Sequence, residues 1–252
     1  MIRVVIVALV IVLVGCSDSL PTYEENEVII VEGITYVHNS NKPLTGWLVY
    51  YHANRNVMRQ ARFVNGLRHG PTEVFHEDGT LFMRGEYEND LEHGLMELFG
   101  EDGRLWQRSW YVNGEQHGGH ETFHDNGQLW TRVTFVSGAK QGVEEGYDEQ
   151  GRISHLWRYE NGQLNGIQET FSSETGQIVH RDAYQNGMSH GTSEGYDEAG
   201  RLRSRYMYEL DEQTSIECWD ENGDTHEPYW HLGFYEGEPR YLDCVRSLEQ
   251  VQ

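Results

Sequence analysis

From residue 46 onward, apolar and aromatic residues come in short runs, and each run is closed by a polar turn pair. One aromatic position recurs through Tyr51, Phe75, Phe99, Phe123, Tyr147, Phe171 and Tyr196, with Glu two residues earlier from Glu73 to Glu194. Next comes Asp78-Gly79, Asp102-Gly103 or Asn126-Gly127, and then an aliphatic residue (Leu81, Leu105, Leu129). A second aromatic follows (Phe63, Tyr87, Tyr111, Phe135, Tyr159, Tyr184, Tyr208), then Asn-Gly at 65–66, 113–114, 161–162 and 186–187. Short aromatic-rich runs between Asp-Gly and Asn-Gly pairs predict β-hairpins, because glycine supplies the positive φ such turns need. So many glycines would be costly inside helices.

The unit has a fixed length. Gly46, Gly70, Gly94, Gly118, Gly142, Gly166 and Gly191 follow one another at 24 residues, with one step of 25. A constant period in this range marks a repeat array. The expected fold is all-β, an elongated antiparallel meander of about seven to eight 24-residue hairpin repeats. The recurring glycine is expected where one hairpin hands over to the next. Thr214 to Gly223 is a degenerate eighth copy, in which Glu217 and Trp219 keep the Glu and aromatic places. A two-residue turn at Asp78-Gly79 would put Glu73 opposite Arg84 and Phe75 opposite Phe82. The same offset matches Glu97 with Arg108, Glu121 with Arg132, Glu194 with Arg205 and, across an insertion, Glu169 with Arg181. It also matches Phe99 with Trp106 and Phe123 with Trp130, while Glu145 falls opposite Leu156 and breaks the pattern. A bulged three-residue turn would shift this register by one.

Tyr111-Val112-Asn113-Gly114 and Tyr159-Glu160-Asn161-Gly162, the pairs His69-Gly70, His93-Gly94, His117-Gly118 and His190-Gly191, and Glu-x-aromatic before an Asp/Asn-Gly turn recur over residues 46–225. This pattern resembles the MORN-repeat variant of bacterial YwqK-type proteins. Departures occur at Gln141 and Asn165, which replace the histidine, and at Asp90 and Ser137-Gly138 in the second turn. A repeat array builds a surface more readily than a deep pocket, while the motif itself says little about activity; such relatives often carry an antitoxin label.

The N-terminus carries a different pattern. Arg3, the apolar run Val4–Val14 and then Leu13-Val14-Gly15-Cys16 resemble a bacterial lipoprotein signal, which implies lipidation of Cys16. The apolar run is too short to span a bilayer as a helix. Ser17, where Asp would favour the inner membrane, points to the outer membrane and its periplasmic or surface face. Residues 1–15 are then signal peptide, 16–32 a polar tether, 33–227 the repeat array and 228–252 a C-terminal cap. Cys218 and Cys244 are left to form a disulfide in an oxidising compartment. The Tyr229–Tyr235 run is expected to cover the last edge strand.

Charge narrows the partners. With 41 acidic against 19 basic residues, the formal net charge is −22. Such a chain is repelled by phosphate backbones, so no nucleic acid is expected. His69, His93, His117 and His190 form the best metal column, but mates two strands apart stand roughly 9.5 Å from each other, too far to share one zinc. His120 with His124, or with His117, leaves room only for an adventitious exposed site. The same spacing argues against the Glu column as paired catalytic carboxylates. Acidic turns such as Asp148-Glu149-Gln150-Gly151 lack the EF-hand pattern for calcium. No nucleophile elbow or phosphate loop is present. The expectation is a non-enzymatic, cofactor-free, lipid-anchored protein of the cell envelope that binds a protein or envelope component through its repeat surface. Trp106, Trp110 and Trp130, flanked by Arg108 and Arg132, are the candidate binding strip. Alternatives are an immunity protein against an exported toxin and a glycan- or peptidoglycan-binding scaffold.

Overall fold

The computed structural model describes residues 20–226, 229–231 and 241–244. Cys16 lies outside them. One sheet contains 18 strands. Its body is a meander from Gly46–Tyr51 to Glu212–Trp219, in which each hairpin pairs antiparallel with the next. Thr22–Glu24 joins the first of these strands in parallel, and Thr225–His226 extends the last.

The turns at one long edge are of the two-residue type, with both residues at positive φ, as at Asn113 (52°) and Gly114 (82°). Asn89-Asp90, Ser137-Gly138 and Leu210-Asp211 adopt the same conformation despite their sequences. One reason is stacking between repeats. The N–H of Asp90 donates to the carbonyl of Arg68 (3.0 Å), Gly114 to Glu92 (2.9 Å) and Gly138 to Gln116 (2.9 Å). Asp90 also accepts the Arg68 backbone N–H and guanidinium, both at 2.9 Å, which offsets the missing glycine.

The turns at the other edge correct the expected geometry. At Asp78-Gly79 the connection is bulged. His76 N–H donates to the Thr80 carbonyl (2.8 Å), Gly79 N–H donates to the His76 carbonyl (2.9 Å), and Gly79 has φ 92°. This is a three-residue loop with glycine in the left-handed place. It puts Phe75 opposite Leu81 rather than Phe82. A β-bulge then absorbs Phe82 and returns the register, so Glu73 still faces Arg84. Likewise Phe99 faces Leu105 and Phe123 faces Leu129, which leaves Trp106 and Trp130 as the extra residues of their bulges.

The recurring glycine also sits elsewhere than expected. It lies inside a strand, in the wider irregularity between Gly85↔Met96 and Tyr87↔Glu92 and its equivalents. Gly94 has φ 81° and Gly118 φ 108° there. An L-residue in this region is strained, so glycine is the residue that bends each strand without cost. The 24-residue period is thus set by a bend within the strand, not by the junction of two hairpins.

A compact apolar core exists at one end. Leu44, Leu48, Ala61 and Phe63 are buried there against Tyr23, Val28, Val37 and Tyr50. A separate hairpin, Val28–Val31 with Ile34–Val37, supplies part of this cap. The segment expected as a tether is therefore part of the fold from Thr22 onward. At the other end, Cys218 and Cys244 are joined by a disulfide with Cα atoms 5.4 Å apart. Tyr229–His231 pairs with Tyr241–Asp243 in its own two-stranded sheet, so among the described residues this run adds no strand to the large sheet's edge.

Candidate binding surface

Residues directly opposite each other share a face of the sheet, so the register defines rows that cross it. One row runs Gln60, Glu73, Arg84, Glu97, Arg108, Glu121, Arg132, Glu145, Leu156, Glu169, Arg181, Glu194, Arg205, Glu217. Each inner arginine therefore has a glutamate on either side. Leu156 leaves Glu145 and Glu169 one row cation each. Glu169, with no cation at 156 in its row, pairs with Arg181 (3.1 Å) and only distantly with Arg158 (4.0 Å), and Glu194 pairs with Arg205 (2.9 Å), which also reaches Glu217 (3.3 Å). Upstream, Glu145 takes Arg132 (2.5 Å), Glu121 takes Arg108, and Glu97 takes Arg84. Glu73 is left to accept from the Gln60 amide (2.5 Å). The pairing direction reverses at the one apolar member of the row. Arg132 and Tyr147 both donate to Glu145 and hold its carboxyl below the ordinary value.

The opposite face carries a row that the aromatic columns had hidden: Ala61, Thr72, Gly85, Met96, Ser109, His120 and Val133. Thr72 and Ser109 in this row are buried. His120 Nδ1 lies 2.8 Å from Ser109 Oγ and 2.9 Å from Gln116 Nε2. The Gln116 amide nitrogen can only donate, so Nδ1 accepts from it and the neutral ring carries its proton on Nε2. Burial, with Lys140 next, lowers the His120 pKa. Further along, burial alone would raise the pKa of Glu144, but hydrogen bonds from His155 and Lys140 outweigh it and the pKa is lowered. Ser109 is only 1% exposed, so its hydroxyl is closed to a substrate. The 24-residue spacing of Thr72, Met96, His120 and Glu144 was the available signal for this row.

The candidate strip changes membership. Trp106 and Trp130 are 43% and 53% exposed, and Phe82, the same bulge position one repeat earlier, is 40% exposed. Trp110 does not join them. It is half-buried and covers Gly118 and Gly119, where an added Cβ would come within 3.2 Å of it. Arg108 and Arg132 stand in the ladder beside the strip, already paired with glutamates. Phe82 was missed because its neighbours in the column are tryptophans; its place 24 residues before Trp106 was the signal. The His76 ring meets Phe82 edge-on at 5.2 Å, and His124 meets Trp130 at 5.7 Å. The adjoining turns expose Glu77, Asp78, Glu101, Asp102 and Asp125 against a single guanidinium, Arg104. The strip is thus a row of open aromatic faces along an acidic ridge.

Elsewhere the histidines serve the fold. His52 Nε2 lies 3.0 Å from the Phe75 carbonyl, and His124 Nε2 lies 2.9 Å from that of Tyr147, tying one turn to the next repeat. His117 Nδ1 accepts the Ser137 N–H (3.3 Å). Among the described residues no three His, Cys, Asp or Glu side chains converge as a metal site requires. Asp148 caps its own turn by accepting the N–H groups of Gln150 (3.0 Å) and Arg152 (2.9 Å).

A search of curated proteins finds none that matches the chain. A family model does match residues 68–89, the segment that holds most of the two strands around the Asp78-Gly79 turn. That hairpin is similar to a MORN repeat variant, and the meander continues on both sides of it in antiparallel hairpins.

Proposed function

We propose that this is a non-enzymatic, lipid-anchored protein of the bacterial cell envelope, YwqK-type in its repeats, that holds a protein partner on its repeat surface. The observation that carries the reading is the exposed row of Phe82, Trp106 and Trp130 at one repeated bulge. Exposed aromatics in register make a hot-spot surface, and the surrounding carboxylates favour a basic partner and oppose an anionic one. An antitoxin-like role acting outside the cytoplasm fits the same surface, since an acidic immunity protein complements a basic toxin. The anchor is Cys16, in the outer membrane on its periplasmic or surface face. Leu20 is the first described residue, four positions after Cys16, and it is exposed, as are Ile29, Ile30 and Val31 of the N-terminal hairpin. An apolar end beside the lipid suits contact with a bilayer.

Two experiments test this. Cys16→Ala should move the protein from the membrane to the soluble fraction, and unchanged fractionation refutes the anchor. Envelope extract passed over the wild type should yield a dominant, salt-sensitive protein that the Trp106→Ala/Trp130→Ala double variant releases. Equal retention by the variant removes the strip from the function, and retention of purified sacculus at high salt would assign the surface to glycan instead.

A further inference from the structure

The sheet stacks cations on its aromatic rings as a habit. Arg84 lies 5.5 Å over Phe99, Arg108 5.6 Å over Phe123 and Arg205 5.5 Å over Trp219. Arg59 over Tyr50 and Arg68 over Tyr87 are closer, both at 4.1 Å. Among the described residues no lysine or arginine lies over Phe82, Trp106 or Trp130, the exposed members of the bulge column. The acidic turns beside them supply the field that would draw a cation in, and the ladder arginines are neutralised by their own glutamates.

Spacing then selects the shape of the ligand. Equivalent positions in successive repeats are two strands apart, roughly 9.5 Å. A polyproline II helix has three residues per turn at about 3.1 Å each, so every third side chain returns to one side after about 9.3 Å. We infer that the Phe82–Trp106–Trp130 strip binds a basic segment in the polyproline II conformation, lying across the strands with Lys or Arg at every third residue, one cation per repeat. The inference rests on the proposed partner-binding role of the strip and adds the partner's conformation and register. The preformed extended helix loses little entropy on binding, which suits a strip of rings standing exposed on the sheet.

The test titrates the purified full chain, in uncharged detergent, with synthetic peptides and follows tryptophan fluorescence. Arg-Pro-Pro repeated four times is compared with a peptide of the same composition whose arginines fall at every second position. The in-register peptide should bind about tenfold or more tighter, the combined effect of three exposed cation–π contacts. Trp106→Ala should erase the difference and Trp106→Phe should keep most of it, with the circular dichroism of both variants unchanged. Equal affinity for the two peptides overturns the inference and leaves only diffuse charge attraction. So does tighter binding of a neutral chitin hexasaccharide than of either peptide. If neither peptide binds yet the double variant still loses the envelope partner, the inference fails and the binding role stands. If the variant keeps that partner as well, both fail.

Discussion

Replacing a single period-setting glycine with alanine separates backbone strain from packing in this sheet. Gly142 has φ 85°, and a Cβ built there meets no heavy atom within 4 Å. Its substitution therefore probes conformation alone. The left-handed region costs an L-residue about 1–2 kcal/mol, and the gain from a stiffer unfolded chain recovers only part of that. Gly142→Ala should thus destabilise by about 1 kcal/mol. Gly118 has φ 108°, and its Cβ would stand 3.2 Å from the Trp110 Cβ, so the strand or the indole must also give way. Gly118→Ala should cost about 2–4 kcal/mol. Urea unfolding followed by tryptophan fluorescence measures both variants. Because a repeat array can open in parts, hydrogen exchange of the Ala139–Tyr147 amides should localise the Gly142 effect. A neutral or stabilising Gly142→Ala would refute the claim that positive φ, rather than chance spacing, imposes the period.

Stability should fall in two stages on acidification. His120 is held below its ordinary 6.5, so the unfolded chain takes up its proton first and stability starts to drop below about pH 6.5. Glu144 is held below 4.5, and its contribution is complete above that value and lost as pH falls through its folded pKa. His120→Gln should flatten the upper stage of urea midpoint against pH, and Glu144→Gln the lower; an unchanged profile in either variant contradicts the assignment. Reducing Cys218–Cys244, which closes a separation of 26 residues, should remove up to about 3–4 kcal/mol, read first as faster exchange in Glu212–Trp219. Uniform loss across the sheet would show that the bridge does not act locally. Asp90→Ala should cost about 1–2 kcal/mol in thermal or urea unfolding through the lost bonds to Arg68, and Asp90→Gly less, since glycine relieves the 68° φ. Equal losses would mean that the turn is indifferent to φ.

Local chemistry was legible in the chain itself. Asn-Gly pairs specified their turns because few other residues accept two positive φ angles in succession, and the Glu and Arg columns placed Glu121 opposite Arg132 because pleating allows only one face or the other. Tertiary structure decided what two independent effects share. The three-residue turn and the bulge after it shift the register in opposite directions, so the ladder register survived while Phe82, Trp106 and Trp130 left their expected partners and became the exposed strip. The choice of each arginine between two glutamates was likewise open in the sequence, since both are adjacent in register. It is settled only when the row is assembled, where Leu156 leaves Glu145 to Arg132 and Glu169 to Arg181 and the last arginine, Arg205, bridges both neighbours. Trp110 shows the same division. It lies four residues from Trp106 in the same strand, and only the structure shows it packed over Gly118 and Gly119. Periodicity in the sequence fixes which residues are equivalent, whereas bulges and bends, which depend on neighbouring strands, fix which of those equivalents meet solvent.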